Sequence, residues 1–396
     1  TTTPQFTKLT NLASERIGAE ILFATDEWFS AADDLLVTDE PLFDPTTFTE
    51  YGKEMSGWES RRRRMPGHDW CIIKLGVQGV VVGVDIDTCH FTGNYSPAAS
   101  IQGACIRAGD EDLVAAEAAL LRHRAERLRH NPSDGMMGTA ATSEGFELAA
   151  ALQSDKWETL VPTTPLGPGR EGTRHTFVVT HDTRRWTHLR LNQFPDGGIA
   201  RLRVHGIVFR DFALPPPRLS SQIIDAASSV NGAVAVSCSD AHYGHPKNLL
   251  NPGRGVNMGD GWETARNLLR PAVMVADEHG HLDLPYNDWA IIRLATPTVV
   301  SRVEVDTAHF KGNFPETVSV EGAYLDPAGD NSSLETGDLP PGAEWFPVLE
   351  RVPVGPDHQF VFPLDAAADA PRRPVSHVRL SIYPDGGVSR LRVFGT

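Results

Sequence analysis

The 396-residue sequence predicts an all-β fold of two tandem β-sandwiches, the first carrying a helical insertion. Three observations predict it. Hydrophobicity alternates with period two, no strand–helix–strand rhythm occurs, and the second half repeats phrases of the first in the same order. The length exceeds what one ordinary core serves. The 35 Gly and 29 Pro supply the many turns a β-rich chain needs.

The strands come first. Val82, Val84, Ile86 and Thr88 alternate with Gly83, Asp85 and Asp87, and Val303, Val305 and Thr307 alternate with Arg302, Glu304 and Asp306. Such runs read as half-buried antiparallel strands. If they continue, His90 and His309 fall on the core face. "PDGG" (195–198 and 384–387) reads as a hairpin turn, with Pro fixing φ and Gly supplying positive φ. After it, Leu202 and Val204 point to one face and Arg201 and Arg203 to the other.

The repeat comes next. "DTCHFTGN" (87–94) returns as "DTAHFKGN" (306–313), and "HDWCIIKL" (68–75) as "NDWAIIRL" (287–294), both at an offset of 219. "GWES" (57–60) matches "GWET" (261–264) at 204, and "FPDGGIARLRVHG" (194–206) matches "YPDGGVSRLRVFG" (383–395) at 189. Constant order with drifting offsets means one duplicated domain whose loops differ in length. The second copy gains 15 residues before its Asp-Trp, and the first gains 30 between its Asp-Thr-x-His-Phe and PDGG.

Much of that gain is "EDLVAAEAALLRHRAERLRHN" (111–131), which places Leu113, Ala116, Leu120, Leu121 and Leu128 near one helical face and stops at Asn131-Pro132. Such a helix packs on the sandwich or serves contact between subunits of a homo-oligomer. "DFALPPPRLSSQ" (211–222) holds three consecutive prolines and reads as an extended linker. The expected layout is repeat 1 over 1–210, linker 211–222 and repeat 2 over 223–396.

Composition narrows the partners. A formal net charge of −15 argues against nucleic acid and anionic membranes, so an anionic ligand would need a local basic pocket. No apolar run approaches the roughly 18–20 residues of a membrane span. The N-terminus lacks the basic-then-apolar order of a signal peptide, and a leader already removed is left open. Cys71, Cys89, Cys105 and Cys238 show neither CxxC nor zinc-type spacing and read as reduced, mostly buried thiols of a cytoplasmic protein.

"AASS" (226–229), "KNLLN" (247–251), "GWET", "NDWAIIRL" and "SRLRVFG" (389–395) together resemble a galactose-binding-like jelly roll, the sandwich of discoidin-type modules. A sharper resemblance spans roughly residues 11–396. "NLASERIGAEILFATDEWF" (11–29), "GWESRRRR" (57–64), "GHDWCIIKLG" (67–76), "DTCHFTGN", "DTAHFKGNFPE" (306–316) and "YPDGGVSRLRVFG" are similar to phrases of the allantoicase family. That resemblance implies a hydrolase of the carbon–nitrogen bonds of linear amidines, cleaving allantoate to ureidoglycolate and urea in purine (allantoin) degradation.

The implied substrate is a small carboxylate with two ureido groups on one carbon. Releasing urea needs a clamp for the carboxylate, an acid for the departing ureido group and a base for water. For the clamp, Arg62 and Arg266 hold the same place after Gly-Trp-Glu, and a guanidinium fork fits a carboxylate. Arg61, Arg63 and Arg64 read as a solvated loop; Arg201, Arg203, Arg390 and Arg392, off the core face of the last strand, could be clamps but read first as solvated or paired strand residues. For acid and base the candidates are Glu59, Glu263, His90 and His309, the histidines having a second reading as buried and bonded to backbone. Asp87 and Asp306 would orient a His, meet substrate or cap a turn. Asn94 and Asn313 would form a turn or bond a ureido group.

A divalent metal is left open, since Asp-x-x-His with a nearby Glu offers ligands, although HxH, HExxH and Cys/His clusters are absent. No GxSxG elbow, phosphate-binding loop or dinucleotide fingerprint occurs. The competing reading is a non-catalytic tandem jelly roll that binds a carbohydrate or a protein. It predicts exposed aromatic platforms at loop tips, whereas both copies keep Glu, His and Arg. Retention of these groups in both copies argues against simple decay of either, and leaves one site per repeat or one shared site.

Overall fold

The computed structural model of the chain describes all residues except 1–3, 132, 171–172, 180–182, 211–222, 326–333, 335–337, 341–342 and 365–372. The expected linker and Pro132 lie outside the described residues. The chain divides into two compact units, Thr1–Phe209 and Arg210–Thr396.

Each unit is a sandwich of two antiparallel sheets. In the second, Val234–Cys238, Asp288–Thr298, Val375–Tyr383, Thr317–Ala323 and Phe346–Pro353 form one sheet in spatial order. Ile224–Asp225, Arg390–Gly395, Val300–Asp306 and Gln359–Pro363 form the other. The first unit reproduces this plan, with one 19-residue strand, Asp69–Asp87, serving both sheets. Its first part pairs with Glu20–Ala24 and Trp186–Phe194, and its last part with Arg174–Val178 and Arg201–Val208. Among the described residues no helix is long and apolar enough to cross a membrane.

The alternation places the cores as expected. Val84, Ile86, Leu202 and Val204 are fully buried in the first unit, as are Val303, Val305, Leu391 and Val393 in the second. Each such side chain contributes roughly 1.5–3 kcal/mol. The opposite face is less open than alternation suggests. Arg201 and Arg203 are buried as well, at 2% and 7% exposure. The segment after Leu36 folds over them, and Arg201 donates to the carbonyls of Asp39 and Ser56.

The inserted helix is α1, Glu111–His130, with Leu120 buried, Leu113, Ala116 and Leu121 packed beside it, and Leu128 exposed. It lies against Leu22, Phe23 and Ile72 on the outer face of a sheet. A second helix, α2, Ser143–Ala150, is an addition to the expectation; the Thr142 hydroxyl caps it by accepting from Gly145 N–H at 3.1 Å.

The PDGG turn does more than reverse the chain. Its last Gly starts a two-residue strand, Gly198–Ile199, that pairs with Trp58–Glu59, and Gly387–Val388 pairs likewise with Trp262–Glu263. Gly198 lies flat on the buried Phe91 ring, where an added Cβ would sit 2.0 Å from a ring atom. Gly198→Ala should therefore destabilise the first unit by about 1–3 kcal/mol, several degrees in Tm. A melting curve that does not move would refute this packing.

Candidate active site

Side chains alternate along the strand Trp58–Glu59, so two neighbours take opposite environments. Trp58 is fully buried and its indole N–H donates to Asp26 O at 2.8 Å. Glu59 turns the other way, into a cavity of about 200 Å³ lined by Phe29, Phe43, Lys53, Met55, His90, Thr92 and Asn94. The backbone of Glu59 is gripped on both edges, by Ser30 through two 3.3 Å hydrogen bonds and by Gly198.

Burial raises the Glu59 carboxyl to about 7, and donation from Asn94 Nδ2 to Oε1 at 2.7 Å opposes this only in part. The group is thus balanced between acid and carboxylate near neutral pH. With Oε1 occupied by a donor, the proton of the acid form belongs on Oε2.

His90 does not continue a strand. The strand ends at Asp87, and His90 adopts φ 70° in the following turn, half-exposed at the cavity wall. The core-face expectation fails because the left-handed residue swings the ring out of the alternation. His90 Nε2 lies 3.2 Å from Pro41 O, and the ring stacks on Phe43 at 5.3 Å. A carbonyl only accepts, so Nε2 carries the hydrogen and the neutral ring keeps Nδ1 as an acceptor. The backbone-bonded and functional readings of this His are therefore compatible.

Asp87 caps that turn, accepting from Cys89 N–H at 2.8 Å, and Asp306 accepts from Ala308 N–H at 2.9 Å. Asp306 also takes Arg254 in two hydrogen bonds of 2.8 and 3.0 Å. The turn-capping reading fits both; Asp87 does not line the Glu59 cavity, while Asp306 lines a separate cavity of about 230 Å³ in the second unit with Arg254, Arg390 and Arg392. Asn94 donates to Glu59 and also lines the cavity.

The expected clamp is displaced. Arg62 and Arg266 are exposed in the loop after Trp-Glu, and Arg62 is not among the residues lining the cavity. Of the neighbours assigned to solvent, Arg64 is exposed, while Arg61 and Arg63 are paired. Arg61 binds Asp26 at 2.6 Å and lies over Trp28, and Arg63 binds Asp69 at 2.8 Å while its N–H donates to Asp196. Arg61 stays exposed while its guanidinium reaches Asp26, and Arg63 is half-buried. Sequence reasoning missed Lys53, Phe43, Phe29, Met55 and Thr92. Comparison between the repeats passes over these positions because they differ or sit in unequal loops.

The second unit keeps the same trio. Asn313 Nδ2 donates to Glu263 Oε1 at 2.5 Å, and His309, at φ 71°, lies with Nε2 2.8 Å from Gly255 O. Glu263 is half-buried where Glu59 is buried. Among the described residues no three His, Cys, Asp or Glu side chains come together to hold a metal.

The allantoicase repeat model matches the chain twice, over residues 10–209 and 224–396. "Probable allantoicase 1" of Burkholderia mallei is 41% identical over 394 residues, covering 99% of this chain and 96% of its own. "Probable allantoicase" of Pseudomonas aeruginosa is 38% identical over 388 residues, covering 98% and 95%. The crystal structure of allantoicase from Saccharomyces cerevisiae matches with a TM-score of 0.67 at 31% identity, covering 98% of this chain and 93% of that one. By sequence and by fold, the chain belongs to the allantoicase family.

Proposed function

We propose that the protein hydrolyses allantoate to ureidoglycolate and urea, with Glu59 as general acid and His90 as general base. The observation that carries the reading is a carboxyl held near 7 inside a small cavity that also presents an imidazole. A cavity of about 200 Å³ suits a small metabolite, since drug-sized ligands take roughly 300–1,000 Å³.

Allantoate carries both ureido groups on one carbon. The lone pair of the retained ureido nitrogen expels the other, whose nitrogen takes the proton from Glu59 Oε2 and leaves as urea. Water adds to the carbon and gives its proton to His90 Nδ1, yielding ureidoglycolate. Glu59 then regains a proton and His90 loses one, so the cycle closes on one water consumed. Asn94 holds the carboxyl in place, and Phe43 with Pro41 O fixes the imidazole plane and tautomer.

Incubation with allantoate should release urea and ureidoglycolate in equal amounts. No urea, with or without added divalent metal, would sink the assignment. The four cysteines are not joined in disulfides, which supports a cytoplasmic, reducing location.

A further inference from the structure

The two units also differ in the loop that leads into the trio they share. Twenty-one residues (37–57) separate Leu36 from Trp58, against eleven (251–261) between Leu250 and Trp262. The additional length in the first unit folds into a small hairpin in which Phe48–Thr49 pairs with Gly52–Lys53. That hairpin places Lys53 at the cavity, with Nζ 4.8 Å from the centre of the Phe43 ring that stacks on His90.

The hairpin is braced by the other insertion peculiar to this unit. Tyr51, at its tip, packs edge-on against Trp28 at 5.6 Å, and its hydroxyl donates to Asp134 Oδ2 at 3.4 Å, in the segment between α1 and α2. Gly138 of that segment lies so close that an added Cβ would meet the Tyr51 ring at 2.4 Å. Gly138 N–H donates to Trp28 O, and Thr139–Ala140 pairs with Asp26–Glu27, just before Phe29 of the cavity wall. Two separate insertions thus converge on the strip of chain that carries Lys53 and Phe29.

Charge gives this construction a purpose. The chain has a formal net charge of −15, so a small anion needs a local cation. The cavity lining contains one fixed cation, Lys53, and among the described residues it has no carboxylate ion partner. The second unit's shorter loop also holds a cation, Arg254, but Asp306 takes its guanidinium in two hydrogen bonds of 2.8 and 3.0 Å. Lys311, at the position of Thr92, is 77% exposed and lies 3.9 Å from Asp357.

We propose that Lys53 receives the substrate carboxylate, and that substrate binds and turns over in the first unit alone. This rests on the allantoate reading above. It departs from the expectation that two retained trios mean two working sites. In the second unit, Asn313, Glu263 and His309 tie the turn to the loop before Trp262, a structural task that would keep the residues in place without chemistry.

The test pairs allantoate with methylenediurea, which has both ureido groups and no carboxylate. Lys53→Met should raise KM for allantoate roughly 10- to 100-fold, as loss of a charge-assisted contact does, with kcat within a few-fold of wild type. The inhibition constant of methylenediurea should change less than about twofold, a result that general damage to the loop would not give. Lys311→Met should leave both values unchanged. Calorimetric titration of the wild-type chain with allantoate should give one site per chain, weakened by Lys53→Met. An unchanged KM, an equal loss for both ligands, or two equivalent sites per chain would overturn the proposal. Wild-type protein that binds allantoate through Lys53 but releases no urea would instead remove the hydrolase reading and leave the binding assignment standing.

Discussion

Replacing Glu59 by Gln should lower kcat for urea release at least about 10²-fold, the usual cost of losing a general acid. The variant should also erase an ionisation from the pH profile. Burial holds the free enzyme's carboxyl at about 7 against an ordinary 4.5, so the acid form prevails below pH 7. kcat/KM should therefore fall as pH rises through about 7, tenfold per unit. A second, independent readout follows from linkage. Between pH 4.5 and 7 the folded chain keeps a proton that the unfolded chain has released, so this group's contribution weakens the fold as pH rises through that window. Above pH 7 the deficit is complete, roughly 3 kcal/mol, and Glu59→Gln should recover much of it. A variant that is slow yet more stable at pH 8 is the expected pairing. Full activity in the variant, or a wild-type profile flat between pH 6 and 8, would remove Glu59 from the chemistry.

Much of this arrangement is legible in the sequence because the chain states it twice. Glu59, His90 and Asn94 stand out through Glu263, His309 and Asn313, and the period-two runs place Val84, Ile86, Leu202 and Val204 in the core. The same filter hides whatever one copy alone possesses. Lys53 and Phe43 sit in residues that the second copy lacks, and no local pattern marks a lysine in a short hairpin as a ligand. Arg62 stood out through its match with Arg266, but the match carries no information on direction. Arg61 and Arg63 are paired because Asp26 and Asp69 lie within reach, partners distant in sequence or set by a strand start. The strand arginines show the remaining limit. Alternation puts Arg201 and Arg203 off the core, yet only the tertiary fold reveals that a loop covers them.

The inserted helix supplies the other large effect. Arg124→Met should destabilise the first unit by about 3–5 kcal/mol. Arg124 is buried on the inner face of α1, and its guanidinium meets Glu27 in two hydrogen bonds of 2.9 and 2.7 Å, with Asp33 as a third contact. Glu27 is itself 1% exposed, and its only other donor among the described bonds is Ala32 N–H at 2.9 Å. Removing the guanidinium strands a carboxylate that water does not reach, which costs more than the ion pair contributes in net terms. The asymmetry makes the test sharp: replacing both partners, Glu27→Met with Arg124→Met, should recover most of the lost stability, because no uncompensated charge remains. Glu27 lies two residues before Phe29 of the cavity wall, and Ser30 grips the Glu59 backbone, so the single variant should also slow urea release while the double variant restores part of it. Denaturant titration of the two single variants and the double variant gives the cycle directly. A single Arg124→Met variant within about 1 kcal/mol of wild type would mean that α1 is held by its apolar contacts with Phe23, Ile72 and Leu152, and that the buried pair sets the register of the helix rather than its attachment.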